Sequence, residues 1–277
     1  MNTEEVMQME TDYIKCCNCI DGMKDLPNDS IDLVVTSPPY DDLRSYNGYS
    51  FEFEKIAKEL YRILKPGGVI VWVVNDASKN GSESGTSFRQ ALYFKECGFR
   101  LHDTMIWYKD TFSFPEKTKY RQCFEYMFVL SKGKPSHVNL IADRKNKWGG
   151  ATIHGTSRKV DGSTYRKSND KKSCVSEYGV RFNVWEQPTE KANKTGHPAM
   201  FPEKLASDHI ESWSNAGDVV LDPFLGSGTT ARMAVMKYRH YIGFEISKKY
   251  YDIACDRVSN AITEREERSA WLDELLK

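Results

Sequence analysis

The chain has 277 residues, with 39 basic side chains balanced by 39 acidic ones, 40% hydrophobic content and 28% charged content. That composition fits an ordinary soluble globular protein, long enough for one large core or a core with a modest insertion. No apolar run approaches the roughly 18–20 residues of a membrane span, and the acidic opening MNTEEVMQMETD is unlike a signal peptide, so a cytoplasmic protein without a membrane partner is expected.

Up to about residue 131, strand-like and helix-like stretches alternate. Cys16, Cys17 and Cys19 sit near a strand end. With seven cysteines and no secretory signal, neither a disulfide framework nor a metal site is expected, because no second Cys/His pair has ligand spacing. Ile31–Thr36 (IDLVVT) is a buried strand running directly into Ser-Pro-Pro-Tyr. Phe53, Ile56, Ala57, Leu60, Ile63 and Leu64 share one helical face. Lys65-Pro66-Gly67-Gly68 stops that helix, and Val69–Val74 is a second buried strand. A helix over Ser87–Cys97 and strands near Asp103–Tyr108 and Glu125–Leu130 follow. Strands separated by helices imply a mainly parallel sheet with helices on both faces.

Between about 132 and 195 the rhythm is lost. From 144 to 181 the basic residues are Arg144, Lys145, Lys147, Arg158, Lys159, Arg166, Lys167, Lys171, Lys172 and Arg181, opposed only by Asp161, Asp170 and Glu177. A surface insertion or a linker could have this composition. Trp148, Tyr165, Tyr178, Phe182 and Trp185 argue for a small folded lobe, and the basic surplus suits phosphate contact. The alternation then resumes, with helices over Pro202–Trp213, Thr229–Met236 and Ser247–Arg268. Strands are expected at Asp218–Leu221 and His240–Phe244. The first and third parts are expected to complete one sheet.

Two segments carry chemistry. In Asp222–Thr230 (DPFLGSGTT), Gly226 and Gly228 let a backbone turn sharply against a ligand, and the helix that follows favours a carboxylate at its N-terminus. The segment lacks the Gly-Lys-Ser/Thr of a triphosphate loop. Glu245, ending the next strand, is placed to accept hydrogen bonds from ribose hydroxyls. The second segment, Ser37–Tyr40, lies at the carboxyl end of a buried strand, where open sheets bind ligands. Its prolines remove two donors and leave carbonyls free. The lone pair of a base amino nitrogen is delocalised into the ring, so catalysis must hold its N–H bonds while that lone pair turns toward an electrophile. Ser37 Oγ and the Pro38 carbonyl suit that task, and Tyr40 suits stacking on an extruded base. A tight turn with a buried tyrosine is the alternative.

Val35–Tyr40 (VTSPPY) resembles the signature of cytosine-N4 DNA methyltransferases. The order of catalytic loop, basic insertion, HPAMFPEKLA (His197–Ala206) and DPFLGSGTT resembles the permuted β class of amino-methyltransferases. The resemblance implies a Rossmann-like α/β S-adenosylmethionine-dependent methyltransferase. Its motif order would be circularly permuted, with core parts at 1–131 and 196–277 and a target-recognition insertion at 132–195. It implies a catalytic loop of Ser37, Pro38, Pro39 and Tyr40. It further implies that Asp222, Pro223, Phe224, Gly226, Ser227, Gly228, Thr229 and Thr230 cradle the methionine part of the cofactor. Glu245 would hold ribose, Asp21 (in NCIDGMKDL) the adenine side, and Phe201 and Pro202 would complete the pocket. Duplex DNA is the implied partner, met by Arg44, Arg144, Lys145, Lys147, Arg158, Lys159, Arg166 and Lys167. Tyr46 and Tyr49 either clamp DNA beside Arg44 or belong to a surface loop. A homodimer and a cognate restriction endonuclease both remain open.

The chain has no Pro-Cys dipeptide, which argues against methylation at cytosine carbon 5. Cytosine N4 is the expected target. Adenine-N6 relatives usually carry Asp in place of Ser37, but both bases present an aminopyrimidine edge, so adenine stays open. A non-catalytic DNA-binding protein that keeps the cofactor pocket is a more distant rival. His102, His137, His154 and His209 form no metal constellation, and His197 is read as capping a helix start. Trp271, Leu272 and Leu275 share one side of the last helix, read as packing on the chain's own core in preference to a dimer contact.

Overall fold

The structure, a computed structural model, describes residues 9–39, 51–110, 119–153, 155–166, 174–189 and 202–275. The first elements are β1 (Tyr13–Cys16), α1 (Cys19–Lys24), β2 (Ile31–Thr36), α2 (Phe53–Ile63) and β3 (Leu64–Val74). A small hairpin, β4 (Ser78–Lys79) and β5 (Ser82–Glu83), precedes α3 (Thr86–Glu96), β6 (Arg100–Tyr108) and β7 (Phe124–Ser131). Short strands β8 (Arg144–Lys145), β9 (Thr156–Arg158), β10 (Thr164–Arg166), β11 (Tyr178–Gly179) and β12 (Val184–Glu186) follow. The chain continues through α4 (Glu203–Trp213), β13 (Val219–Asp222), α5 (Thr229–Met236), β14 (His240–Glu245) and α6 (Lys248–Leu275).

Among the described residues, eight strands form one sheet in the order β1-β14-β13-β2-β3-β7-β6-β12. Strand β7 is antiparallel to both β3 and β6, and the remaining neighbours are parallel. Strands β13 and β14, from late in the chain, therefore lie between β1 and β2 from its beginning.

Side chains alternate across the sheet with period two. Val69, Val71 and Val73 of β3 join a core shared with Leu205, Ile210, Ala234, Ala254 and Val258 from α4, α5 and α6. Ile70, Trp72 and Val74 join the opposite core with Ile56, Leu60, Ile63 and Phe94 from α2 and α3. Burial of each such side chain contributes roughly 1.5–3 kcal/mol before the cost of ordering it. Both faces are covered, which is why the central strands read as continuous apolar runs.

The sequence expectations and the structure differ at several points. Strand β1 has too few apolar residues for alternation to mark it, and it is fixed by pairing with β14. The Lys65–Gly68 turn ends α2 yet is absorbed into β3, where Gly67 at φ +84° donates to Lys132 O at 2.6 Å. Trp271 and Leu272 are 58% and 42% exposed, so they do not pack on the chain's own core. The inward side of α6 is formed earlier, by Ala254, Val258 and Ala261. Leu140–Phe182 forms a separate compact unit, while β12 belongs to the large sheet through its pairing with β6. Within the small unit, β8 pairs antiparallel with β11, and β9 with β10.

Helix α1 rests on β14 at Gly22, where an added Cβ would lie 2.4 Å from the ring of Phe244, a fully buried residue. Alanine normally favours a helix over glycine by about 1 kcal/mol. Here overpacking against an immobile ring costs about 1–3 kcal/mol and should reverse that sign. Gly22→Ala is expected to lower the melting temperature by a few degrees in calorimetry. An unchanged or higher value would show that the ring yields freely.

Candidate active site

Parallel pairing of β2 with β13 brings two strand ends together at one edge of the sheet. Thr36, the last residue of β2, donates its hydroxyl to Asp222 Oδ1 at 2.6 Å across 186 residues of sequence. Thr230 Oγ1, from the first turn of α5, lies 2.7 Å from Asp222 Oδ2 and 3.1 Å from Val35 O. The Phe224 amide donates to Asp222 Oδ1 at 3.0 Å. One buried carboxylate thus ties the origin of the Ser37–Pro39 segment to the origin of the glycine loop. Burial pushes this carboxyl up from the usual 3.8 to about 6, against the opposing pull of its donors Thr36, Thr230 and Phe224.

The loop after β13 turns at Gly226 (φ +55°) and Gly228 (φ +86°). Gly228 caps α5, and a Cβ there would sit 3.0 Å from Ala254 of α6, so both backbone conformation and space require glycine. Glu245 at the end of β14 accepts the Gly226 amide at 2.8 Å on Oε2 and the Ser247 amide at 2.7 Å on Oε1. Burial raises its pKa, partly offset by those amides. A carboxylate has about four acceptor sites, so acceptor capacity is left for a ligand hydroxyl. The Cys17 amide donates to Glu245 O at 3.1 Å, bringing the α1 start to the same edge. Phe224, half-buried, meets Trp72 and Phe51 edge-on at centroid distances of 6.2 and 5.7 Å.

Sequence reasoning missed the residues that brace this loop. Arg257 of α6 donates from Nη1 to Ser227 O at 2.8 Å and to Ser227 Oγ at 3.0 Å. Its Nη2 reaches Glu203 Oε1 on α4 at 2.7 Å. Arg232 lies 3.4 Å from Glu203 Oε2 and 2.9 Å from Glu264. Nothing local in the sequence marks Arg257 or Glu203, because their partners lie 28 to 54 residues away in the chain. At the end of β3, buried Asp76 accepts the Ser87 amide at 2.9 Å and so caps α3.

Of the residues singled out from sequence, Asp222, Gly226, Ser227, Gly228, Thr229, Thr230 and Glu245 form this cluster, with Pro223 and Phe224 in its turn. Pro38 is buried and Ser37 and Pro39 are half-buried, immediately after β2. Pro202 is buried and caps α4. Asp21 is exposed and pairs with Lys24 at 2.9 Å. Lys145, Lys147, Arg158 and Lys159 are exposed in the small unit, and Arg144 is half-buried there. Tyr40, Arg44, Tyr46, Tyr49, His154, Lys167, His197 and Phe201 lie outside the described residues, and Arg166 is described only by its place in β10. His209 is buried, stacks on Trp185 at 4.5 Å, and is pushed down to about 3 by burial, so it stays neutral.

The family model for DNA methylase, of the N6/N4 type, matches residues 31–256. The orphan methyltransferase M.BamHII of Bacillus amyloliquefaciens is 61% identical over 241 residues, covering 84% of this chain and 90% of that protein. A solved PvuII DNA methyltransferase, described as cytosine-N4-specific, superimposes with a TM-score of 0.66 at 20% identity, covering 94% of this chain and 93% of that one. An M1.HpyAVI–SAM complex gives 0.57 at 23% identity, covering 88% of this chain and 98% of that one. At those identities the structural likenesses speak for the fold.

Because the folded pKa of Asp222 lies above its unfolded value, its dehydrated charge opposes folding at neutral pH. The penalty, roughly 3 kcal/mol, is full above about pH 6 and gone near pH 4, where the carboxyl is protonated in both states. Asp222→Asn keeps the shape without the charge. The unliganded variant is expected to melt at or above the wild-type temperature at pH 7.5, with the difference shrinking toward pH 5. A variant much less stable at pH 7.5 would show that the ionised carboxylate is a net stabiliser.

Proposed function

The chain belongs to the N6/N4 DNA methylase family, and on that premise we propose that it methylates the exocyclic N4 amino group of cytosine within a short duplex sequence. S-adenosylmethionine is the cofactor. It supplies a methyl group activated on a sulfonium sulfur. The single observation that carries the reading is the Thr36–Asp222–Thr230 tie, which fixes the Ser37–Pro39 segment beside the glycine loop.

The residues at the loop fit this cofactor. Gly226 and Gly228 allow close backbone approach, and Glu245 is oriented by two amides with acceptor capacity left for ribose hydroxyls. Phe224 offers a partly exposed ring at the edge. Asp222 is nearly saturated with donors, so its part in binding is to hold the loop as much as to touch the ligand. Asp21, Phe201 and Pro202 are assigned to the rest of the pocket by resemblance.

In this reading the target base leaves the helix stack and Tyr40 stacks on it. Ser37 Oγ and Pro38 O would accept hydrogen bonds from its two N–H groups, so that the nitrogen pyramidalises and its lone pair turns toward the cofactor. S-adenosylmethionine held at the glycine loop would supply the methyl group to that lone pair. One N–H proton then passes to water. The exposed cations of the 140–182 unit, with Arg44, supply phosphate contacts, and the same unit would carry the target recognition assigned to 132–195. The sequence of Ser37 favours cytosine, since a serine offers a neutral hydrogen bond where an aspartate would stabilise more positive charge on the amino nitrogen.

Purified protein incubated with bacterial genomic DNA and isotopically labelled S-adenosylmethionine is expected to yield N4-methylcytosine on nucleoside mass spectrometry. N6-methyladenine would overturn the target base while keeping the reaction. Bound cofactor with no methylated nucleoside would favour a non-catalytic role. Ser37→Ala is expected to lower turnover about 10–100-fold, the loss of one transition-state hydrogen bond, while cofactor affinity is unchanged. An unchanged rate would remove Ser37 from the mechanism.

A further inference from the structure

Two arginines of the 140–182 unit have opposite surroundings. Arg181 is neutralised by the Asp143 carboxylate, with Nε 2.6 Å from Oδ1 and Nη2 2.5 Å from Oδ2. Arg144 has no acidic partner among the described residues. Its Nε donates to Val180 O at 3.0 Å, and its guanidinium carbon lies 4.4 Å from the Phe182 ring centroid. Neither Nη group has a protein acceptor among the described residues. The β8–β11 pairing places Gly179 opposite Arg144, so closely that a Cβ on Gly179 would lie 2.9 Å from Nη2. Phe182 itself is 66% exposed, an aromatic plate whose visible use is to support this guanidinium.

Lys145, Lys147, Arg158 and Lys159 present their charges on flexible stems from exposed positions, which suits phosphate contact. Arg144 is instead anchored at Nε and lies against the Phe182 ring, which restricts its rotamers in advance and leaves the two Nη groups of a planar fork without a protein acceptor among the described residues. In the major groove guanine presents two acceptors, O6 and N7, in one plane, whereas adenine presents an acceptor beside a donor. Building on the DNA-methylating reading above, we propose that Arg144 is a specificity-determining residue that reads a guanine of the target sequence through both Nη groups.

The test uses the full-length protein with S-adenosylhomocysteine, the product form of the cofactor, and a randomised duplex DNA library whose bound fraction is sequenced. The wild-type pool is expected to require guanine at one or more positions. Arg144→Lys keeps the charge and loses the fork. Gly179→Ala keeps Arg144 and the fold, because the new methyl displaces only the side-chain ends of Arg144 and Asn146. Both variants are expected to lose the guanine preference at the same position about tenfold or more, with the other positions and cofactor binding retained. If both keep that preference and lose affinity evenly across sequences with a shallower salt dependence, Arg144 is a phosphate contact and the proposal falls. A wild-type pool without any required guanine also overturns it. Guanine-dependent binding without methylation of any selected sequence, measured in parallel with S-adenosylmethionine, would instead overturn the catalytic reading alone.

Discussion

The carboxylate of Asp222 is the constraint on which the rest of the site depends. It is almost fully dehydrated, a condition that would be prohibitive for an unpaired charge. Two hydroxyls and one amide answer it, and each donor comes from a different piece of the edge: the end of β2, the turn after β13 and the start of α5. Satisfying one acceptor therefore fixes three backbone positions at once. The segment that would meet the base and the loop that would meet the cofactor cannot shift independently without leaving a buried polar group unpaired, at a cost of about 1–3 kcal/mol per group.

Around this tie, the edge is held from both faces of the sheet. Glycine at 22 lets α1 lie on Phe244, and glycine at 228 lets α6 approach the start of α5. Arg257 then pins the loop carbonyl of Ser227 from α6 and passes its second nitrogen to Glu203 on α4. At the same edge Glu245 is oriented by the amides of Gly226 and Ser247. A site built on strand ends and helix starts, supported by such a surrounding shell, is rigid enough to orient a transferring group.

The small unit follows a different logic. Its strand pairs, two and three residues long, bury little, and its aromatics are mostly exposed. What it fixes is the direction of particular side chains. Two arginines of equal formal charge acquire opposite roles there, one cancelled by Asp143 and the other held open by a carbonyl, a ring and a glycine.

The sequence by itself determined the alternating elements, because period-two and helical spacings are local and the central strands are buried on both faces. It also marked the glycine loop, Glu245 and the Ser-Pro-Pro-Tyr segment, because turns, strand ends and missing donors are local too. Only the tertiary structure decided that β7 runs antiparallel, that weakly patterned β1 pairs with β14, and that Trp271 stays exposed. It alone joined Thr36 to Asp222, Arg257 to Ser227 and Arg181 to Asp143. Those pairings depend on which strand or helix becomes whose neighbour, and neighbourhood across up to 186 residues is settled by burying the whole sheet at once.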